Sequence, residues 1–201
     1  MKLICHRGIH DKKIKENTYE SIKKALDSDK YIGVEFDVRT TKDNEFVIHH
    51  DPLCNGTLIS NTLYDELPKY VPKLEDILKI NSDKIFLIEI KNINGNINKF
   101  IRLLDKYKDK NLYVMSFNSK LMNKICNKDV SFKTGVLNYV LNTMDMSCLD
   151  FICMLDTLLS DELVSVAESY NKEIMSYGII NKNNIGTMDI YYIVDNELTV
   201  K

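Results

Sequence analysis

The stretch Gly33–Asp51 concentrates charged and titratable side chains in a short segment. It begins with an alternating pattern in which Glu35, Asp37 and Arg39 occupy every second position between apolar residues. Because side chains along a strand point to opposite faces with a period of two, both carboxylates and the guanidinium share one face. The alternative is a solvated strand face, which is uncommon in a parallel sheet buried on both sides. The pattern therefore favours a site that uses both carboxylates.

A second apolar run, Lys84–Lys91, is typical of a buried strand and carries Glu89 near its carboxyl end. With Glu35 and Asp37 it would place three carboxylates at one edge of a sheet. Two carboxylates about 4 Å apart repel by roughly 4 kcal/mol at an effective dielectric constant near 20, so three of them require a proton or a cation. Oxygen donors favour a hard ion over zinc. These residues therefore predict a site for Mg²⁺ or Ca²⁺.

Two of the four histidines, His6 and His50, follow apolar runs that lead to the same edge. Imidazoles titrate near neutrality and can act as donor and acceptor in a proton transfer. A histidine taken alone is more often structural, but a pair beside converging carboxylates favours an acid/base role. The residues do not choose between His49 and His50, because the preceding run Phe46–Ile48 is apolar at every position.

Two cations complete the candidate site. Arg7 offers a planar fork suited to a phosphate, and Lys91 offers a point charge beside Glu89. The alternative for both is ion pairing with the same carboxylates. His6 and Arg7 point to opposite faces of an ideal strand, so both reach one site only if the strand ends there. A metal, two cations and two histidines together suit phosphoryl transfer, in which fixed positive charge offsets developing negative charge.

The elements that must position these residues alternate between helices and strands. A helix is predicted over residues 18–28, with Asn17 as its N-cap and Glu20 three residues later in a capping box. Further helices are predicted over residues 74–80, 97–108 and 120–126 and after the cap residue Ser160. Strands are predicted near eight positions: Leu3, Val34, Ile85, Leu112, Phe132, Phe151, Ile174 and Ile190.

This alternation implies right-handed βαβ units and a mainly parallel sheet. Eight strands predict an α/β fold, a (β/α)8 TIM barrel at the lower size limit of roughly 200 residues. A doubly wound open sheet is the alternative. The barrel is favoured because charged residues follow the carboxyl ends of several strands, where barrel active sites are built. All three prolines fall between residues 52 and 72, which predicts an irregular excursion after the second strand.

The composition predicts a single domain over residues 1–201, since 44% of the residues are hydrophobic. Lys plus Arg number 27 and Asp plus Glu 29, and the net charge of −2 gives no general reason to bind nucleic acid or an anionic membrane. No apolar stretch is long enough for a signal peptide or a stable membrane insertion, so a cytoplasmic location is expected. The cysteines are odd in number with spacings that fit neither zinc nor disulfides, so free thiols are expected at Cys5, Cys54, Cys126, Cys148 and Cys153.

In kind, order and spacing, the motifs of residues 1–120 resemble those of the glycerophosphodiester phosphodiesterase family. The matching segments are His6-Arg7-Gly8, Glu16-Asn17-Thr18, Glu35-Phe36-Asp37-Val38, Thr41-Lys42-Asp43, His50-Asp51, Val71-Pro72-Lys73-Leu74-Glu75-Asp76, Ile88-Glu89-Ile90-Lys91 and Ser116-Phe117-Asn118. The resemblance implies a (β/α)8 barrel that hydrolyses small glycerophosphodiesters to glycerol phosphate and an alcohol. Carried over by motif, the implied roles are proton transfer for His6 and His50, binding of Mg²⁺ or Ca²⁺ for Glu35, Asp37 and Glu89, and phosphate binding for Arg7 and Lys91.

Three features depart from the family pattern. Residues 52–72 are shorter than the insertion that many relatives carry over the site, which predicts a more open pocket. The chain has no tryptophan, and Met175-Ser176-Tyr177 stands where relatives usually have one. The segment between the last two predicted strands is abbreviated, which predicts a thin barrel wall there. The same site residues are also compatible with a phospholipase-D-like enzyme or lyase that forms a cyclic phosphate from lysophospholipids, or with a non-catalytic barrel that binds phosphoglycerol groups.

Overall fold

Eight parallel strands close into a barrel in the structure, a computed structural model that describes residues 1–138, 147–178 and 189–195. The strands of the chain are β1 (Lys2–His6), β2 (Gly33–Thr40), β3 (Phe46–Ile48), β4 (Leu53–Cys54), β5 (Thr57–Leu58), β6 (Ile85–Ile90), β7 (Asn111–Ser116), β8 (Lys133–Asn138), β9 (Phe151–Leu155), β10 (Glu173–Tyr177) and β11 (Ile190–Val194). The barrel order is β1-β2-β6-β7-β8-β9-β10-β11, and β1 pairs with both β2 and β11. The predicted (β/α)8 TIM barrel is confirmed. The doubly wound open sheet is excluded, because the pairing of β1 with both neighbours leaves the parallel sheet without an open edge.

Helices cover the outside of this barrel. They are α1 (Tyr19–Asp27), α2 (Leu74–Leu78), α3 (Ile97–Asp105), α4 (Ser119–Cys126) and α5 (Asp161–Ser169), with short 3-10 helices at Ile59–Asn61, Tyr64–Glu66 and Asp156–Leu158. Apolar helix residues such as Ile22 and Phe100 pack with outward-facing strand residues such as Phe36 and Phe86 in one buried cluster. Most of the apolar surface that the chain buries therefore lies between sheet and helices.

The barrel interior is filled by the opposite faces of the same strands. Ile4, Leu87, Met115, Cys153 and Met175 form a second buried cluster and come from strands around the barrel. Gly135 makes room for the ring of Phe151 here, since a Cβ added to Gly135 would lie only 2.3 Å from that ring. The inward face is apolar at the amino ends of the strands and becomes charged at the carboxyl ends of β1, β2 and β6.

The N-cap of α1 differs from the prediction. Thr18 is the cap residue, and its capping box is completed by Ser21 rather than by Glu20. Asn17, the predicted cap, has φ +55° and turns its side chain into the barrel. The prediction was wrong because Asn17 and Thr18 are both good capping residues, and a tertiary contact takes the first of them.

The predicted strand-turn-strand unit is present. β3 runs antiparallel to β2, with Val38 opposite Ile48, and the turn contains Asn44 at φ +62°. The excursion that follows holds the β4–β5 hairpin and two of the 3-10 helices over a small core of Val47, Cys54, Ile59, Leu67 and Val71. This unit brings the residues after β3 to the carboxyl end of the barrel.

A disulfide corrects the cysteine prediction. Cys126, the last residue of α4, is bonded to Cys148, which precedes β9, while Cys5, Cys54 and Cys153 are buried free thiols. The pairing was missed because it depends on two elements that are 22 residues apart in sequence and meet only in the fold. It lies at the barrel end where the strands begin, and the cytoplasmic location stays a prediction.

Residues 179–188, which link the last two strands and for which a thin barrel wall is predicted, lie outside the described residues. Within the ranges that the structure describes, no helix combines the length and apolar character needed to cross a membrane.

Candidate active site

Three carboxylates meet at the carboxyl end of the barrel. Glu35 and Asp37 point inward from β2, and Glu89 points inward from β6, where it stands opposite Asp37 in the strand register. One oxygen of each lies within 4.8 Å of the others. All three residues are buried, Glu35 and Asp37 to 1% exposure and Glu89 to 7%. The structure therefore brings together the three residues that the sequence analysis assigned to a cation, and their roles stay a prediction.

Two basic side chains and one amide hold these carboxylates in place. Lys91 Nζ lies 3.2 Å from Asp37 Oδ1 and 2.5 Å from Glu89 Oε1. Arg7 Nε lies 3.4 Å from Asp37 Oδ2, and Asn17 Nδ2 donates a 2.7 Å hydrogen bond to the same oxygen. Asp37 is thus contacted by two cations and one amide, although its buried Oδ1 forms no hydrogen bond within the described residues.

The Glu35 carboxylate has fewer polar contacts than that of Asp37. Its Oε2 accepts a 3.2 Å hydrogen bond from the backbone N–H of Arg7, but Oε1 is buried and has no hydrogen-bond partner among the described residues. Burial, with the neighbouring charges of Asp37 and Glu89, raises the pKa of Glu35 well above its usual value. A buried carboxylate oxygen without a donor is costly unless a proton or cation binds it.

The pKa values of Glu89 and Lys91 are also consistent with a concentration of negative charge at this site. Burial and the charge of Asp37 raise the pKa of Glu89. Burial would lower the pKa of Lys91, but the charges of Asp37 and Glu89 outweigh it and raise the pKa, so this ammonium stays protonated. Three buried carboxylates, an unpartnered oxygen and an all-oxygen donor set fit a hard divalent cation.

The chain turns sharply after β1. The strand ends at His6, Arg7 has φ +54° and Gly8 φ +78°. A side chain at Gly8 would collide with the α1 backbone, since an added Cβ would lie 2.5 Å from the carbonyl carbon of Ser21. Because the strand ends there, His6 and Arg7 both face the carboxylates, and Arg7 Nη1 also lies 2.8 Å from Glu16 Oε1.

Both candidate histidines are held at Nδ1 by an aspartate. His6 Nδ1 lies 2.8 Å from Asp195 Oδ1, and His50 Nδ1 lies 2.8 Å from Asp51 Oδ1. These hydrogen bonds lower the pKa of both aspartates, so each stays ionised. With Nδ1–H donated to a carboxylate, a neutral imidazole has its free lone pair at Nε2, and His6 Nε2 lies 3.8 Å from Glu35 Oε2.

Asp195 is a site residue that the sequence analysis missed. It follows β11 directly, and the only sequence signal was its position at the carboxyl end of the last predicted strand. The bond to His6 joins the last barrel strand to the first, which are paired neighbours in the closed barrel.

Arg39 and His49 lie at the edge of the site. Arg39 donates two hydrogen bonds, of 2.8 and 2.6 Å, to the backbone carbonyl of His50. The backbone N–H of His49 donates to the carbonyl of Asp37, and its ring bonds the carbonyl of Asp51. Both residues therefore support the segment that carries His50, in keeping with a peripheral role.

Known proteins resemble this chain in sequence and in fold. The model of the glycerophosphoryl diester phosphodiesterase family matches residues 6–193. A glycerophosphodiester phosphodiesterase of Caldanaerobacter subterraneus subsp. tengcongensis is 25% identical over 161 residues, and the match covers 67% of this chain and 65% of that relative, just under two thirds of its length.

Solved structures share the fold. An Oleispira antarctica phosphodiesterase in complex with the product sn-glycerol-3-phosphate has a TM-score of 0.80 at 18% identity, covering 96% of this chain and 92% of that one. A glycerophosphodiester phosphodiesterase of Thermotoga maritima has a TM-score of 0.74 at 23% identity, covering 95% and 93%.

Proposed function

The chain belongs to the glycerophosphoryl diester phosphodiesterase family, and from this premise we propose that it hydrolyses glycerophosphodiesters to glycerol phosphate and an alcohol. The proposed enzyme uses a divalent cation and two histidines, in one barrel domain over residues 1–201. The observation that carries the proposal is the pairing of two histidines, each anchored at Nδ1 by an aspartate, with three buried carboxylates at the same barrel end.

Glu35, Asp37 and Glu89 would hold the cation, Mg²⁺ or Ca²⁺. Their buried oxygens supply a hard donor set, and the unpartnered Oε1 of Glu35 supports this assignment. When bound, such an ion would neutralise phosphate charge and polarise the phosphorus–oxygen bonds.

Arg7 and Lys91 would bind the phosphate. Both are already held close to the carboxylates, so neither has to be ordered when substrate arrives. The Arg7 guanidinium can bind Glu16 and a phosphate oxygen at the same time. The Lys91 ammonium can donate hydrogen bonds in several directions. Preorganised cations of this kind stabilise charge that develops in the transition state.

His6 and His50 would move protons at Nε2. In the first step the glycerol 2-hydroxyl attacks phosphorus, one histidine takes its proton, and the other protonates the leaving alkoxide as its bond to phosphorus breaks. In the second step water adds to the cyclic phosphate and opens it, and the two histidines exchange roles. Asp195 and Asp51 would keep both rings oriented through the cycle.

The test is release of glycerol phosphate from a panel of glycerophosphodiesters, including glycerophosphocholine and glycerophosphoethanolamine, with Mg²⁺ or Ca²⁺. We expect turnover that stops on chelation and returns when the ion is restored. His6→Ala should abolish it, while Lys108→Ala, at an exposed residue at the barrel end where the strands begin, serves as a control. Full turnover by the His6→Ala variant would overturn the acid/base assignment.

A further inference from the structure

A cavity of about 260 Å³ opens beside His50. It lies next to the candidate active site, because its lining includes His50 and also Asn17, which bonds the Asp37 carboxylate. Its other walls come from the loop after β1, the segment after β3, and the end of the excursion: Lys15, Glu16, Ile48, His49, Asp51, Tyr70 and Val71. A group attached to a phosphate at the carboxylates, next to His50, can therefore extend into this space.

A second, wider depression of about 440 Å³ lies beside this cavity. Lys15 and Tyr70 line both spaces, and Lys15 Nζ lies 3.8 Å from the centre of the Tyr70 ring. Lys13 and Lys69 face the same depression. We call these two adjacent spaces the lysine groove.

The charge of the lysine groove is positive. Glu16 and Asp51, the two acidic residues of the inner cavity, are already bound to Arg7 and His50 respectively. By contrast, Lys13, Lys15 and Lys69 form no ion pair with any residue that the structure describes. In the outer depression Glu20 is the single acidic lining residue against these three lysines.

Lys15, which lines both spaces, has a fixed backbone. The Thr18 hydroxyl donates a 2.9 Å hydrogen bond to the Lys15 carbonyl, and Asp11 accepts hydrogen bonds from the backbone of Lys13 and Ile14. The loop therefore presents Lys13 and Lys15 from a defined position, with the Lys15 ammonium packed on the Tyr70 ring between the two spaces.

We propose that the lysine groove binds an anionic group on the leaving alcohol, so that the enzyme prefers diesters whose alcohol carries a second phosphate. This proposal rests on the proposed function and names the substrate class of the same site. A cationic head group such as choline would meet like charge in the groove, and a neutral alcohol would gain nothing from it.

The experiment compares three substrates that differ in the charge of the leaving alcohol: glycerophosphoglycerol, the same diester with a terminal phosphate, and glycerophosphocholine. Consumption of the diester gives kcat/KM for the unaltered protein, Lys15→Gln, Lys69→Gln and the double variant. Lys108→Gln, an exposed lysine at the opposite end of the barrel, is the matched control.

For exposed charges about 4 Å apart, each lysine should contribute about fivefold to kcat/KM for the phosphorylated substrate. We expect that loss in Lys15→Gln and Lys69→Gln, little change for the neutral diester, and an unchanged or higher value for glycerophosphocholine. The preference should also weaken as salt is raised, because the groove is open to solvent. Equal changes for all three substrates, or none, would overturn the proposal.

A failure of the proposed function is distinguishable from a failure of the groove. If no diester is consumed, the proposed function fails. Calorimetric binding of the phosphorylated and neutral diesters then tests the groove by itself. Tighter binding of the phosphorylated compound that Lys15→Gln removes would support the groove, and equal affinity for both compounds would overturn it.

Discussion

Replacement of Glu35 by Gln tests whether the three carboxylates form a cation site. In the cation-free protein Glu35 has oxygens within 4.8 Å of Asp37 and Glu89. At an effective dielectric constant near 20 each of these pairs repels by about 3.5 kcal/mol, and attraction to Arg7 offsets roughly one of them. Glu35→Gln should therefore raise the free energy of unfolding of the ionised, cation-free protein by about 3 kcal/mol.

The gain should depend on pH. The pKa of Glu35 in the folded protein is raised well above 4.5, so the folded state holds its proton more tightly than the unfolded chain. The stability from this group is fully present below pH 4.5 and is lost as the pH rises through the raised pKa. Glutamine cannot ionise, so the Glu35→Gln variant should not lose stability through this group. The difference in free energy of unfolding between the variant and the unaltered protein should therefore grow as the pH rises.

Thermal unfolding measures both effects. A gain of about 3 kcal/mol corresponds to roughly 6–12 °C in Tm for a chain of this size. Added Mg²⁺ or Ca²⁺ at about 100 times its Kd should stabilise the unaltered protein by about 2.7 kcal/mol, and Glu35→Gln should lose most of this shift. Glu168→Gln, an exposed carboxylate on α5, is the control. Equal Tm values at every pH, with equal shifts on adding the cation, would refute the reasoning.

Three further predictions concern two groups around this cluster and the disulfide at the other end of the barrel. Asp195→Asn should lower kcat by about 10²-fold with little change in KM, because His6 loses the carboxylate that orients it; an unchanged kcat would contradict this. Lys91→Met should lower the free energy of unfolding of the cation-free protein by about 3 kcal/mol in chemical denaturation, because two buried carboxylates lose their ammonium partner; unchanged stability would count against the pairing. Cys148→Ser should cost about 3 kcal/mol by opening the bond to Cys126, and a reducing agent should destabilise the unaltered protein but not the variant; an equal response of both would argue against the disulfide.

The fold could be predicted because its signals are local. The apolar run Ile190–Val194 and the run that contains Ile85–Ile90 are short and bounded by polar residues, which is typical of buried parallel strands. The alternation of charged and apolar residues in β2 placed Glu35 and Asp37 on one face, and the structure turns that face into the barrel. Periodicity alone was sufficient for these features.

The missed features depend on contacts between distant segments. Asp195 bonds His6 because closure of the barrel makes β1 and β11 neighbours, and no local pattern marks that pair. The Cys126–Cys148 bond depends in the same way on the packing of α4 near the start of β9. Residues that meet only because the chain has folded can be identified only when the folded structure is known.

Phosphorus NMR of glycerophosphoglycerol with the purified protein and Mg²⁺ or Ca²⁺ tests the central claim most directly, because substrate, cyclic intermediate and product give separate signals. We expect the diester signal to fall and the glycerol phosphate signal to rise, with any cyclic phosphate transient, and we expect chelation to stop the change. A diester signal that stays constant with either ion would contradict the account, as would a cyclic phosphate that accumulates as the final product.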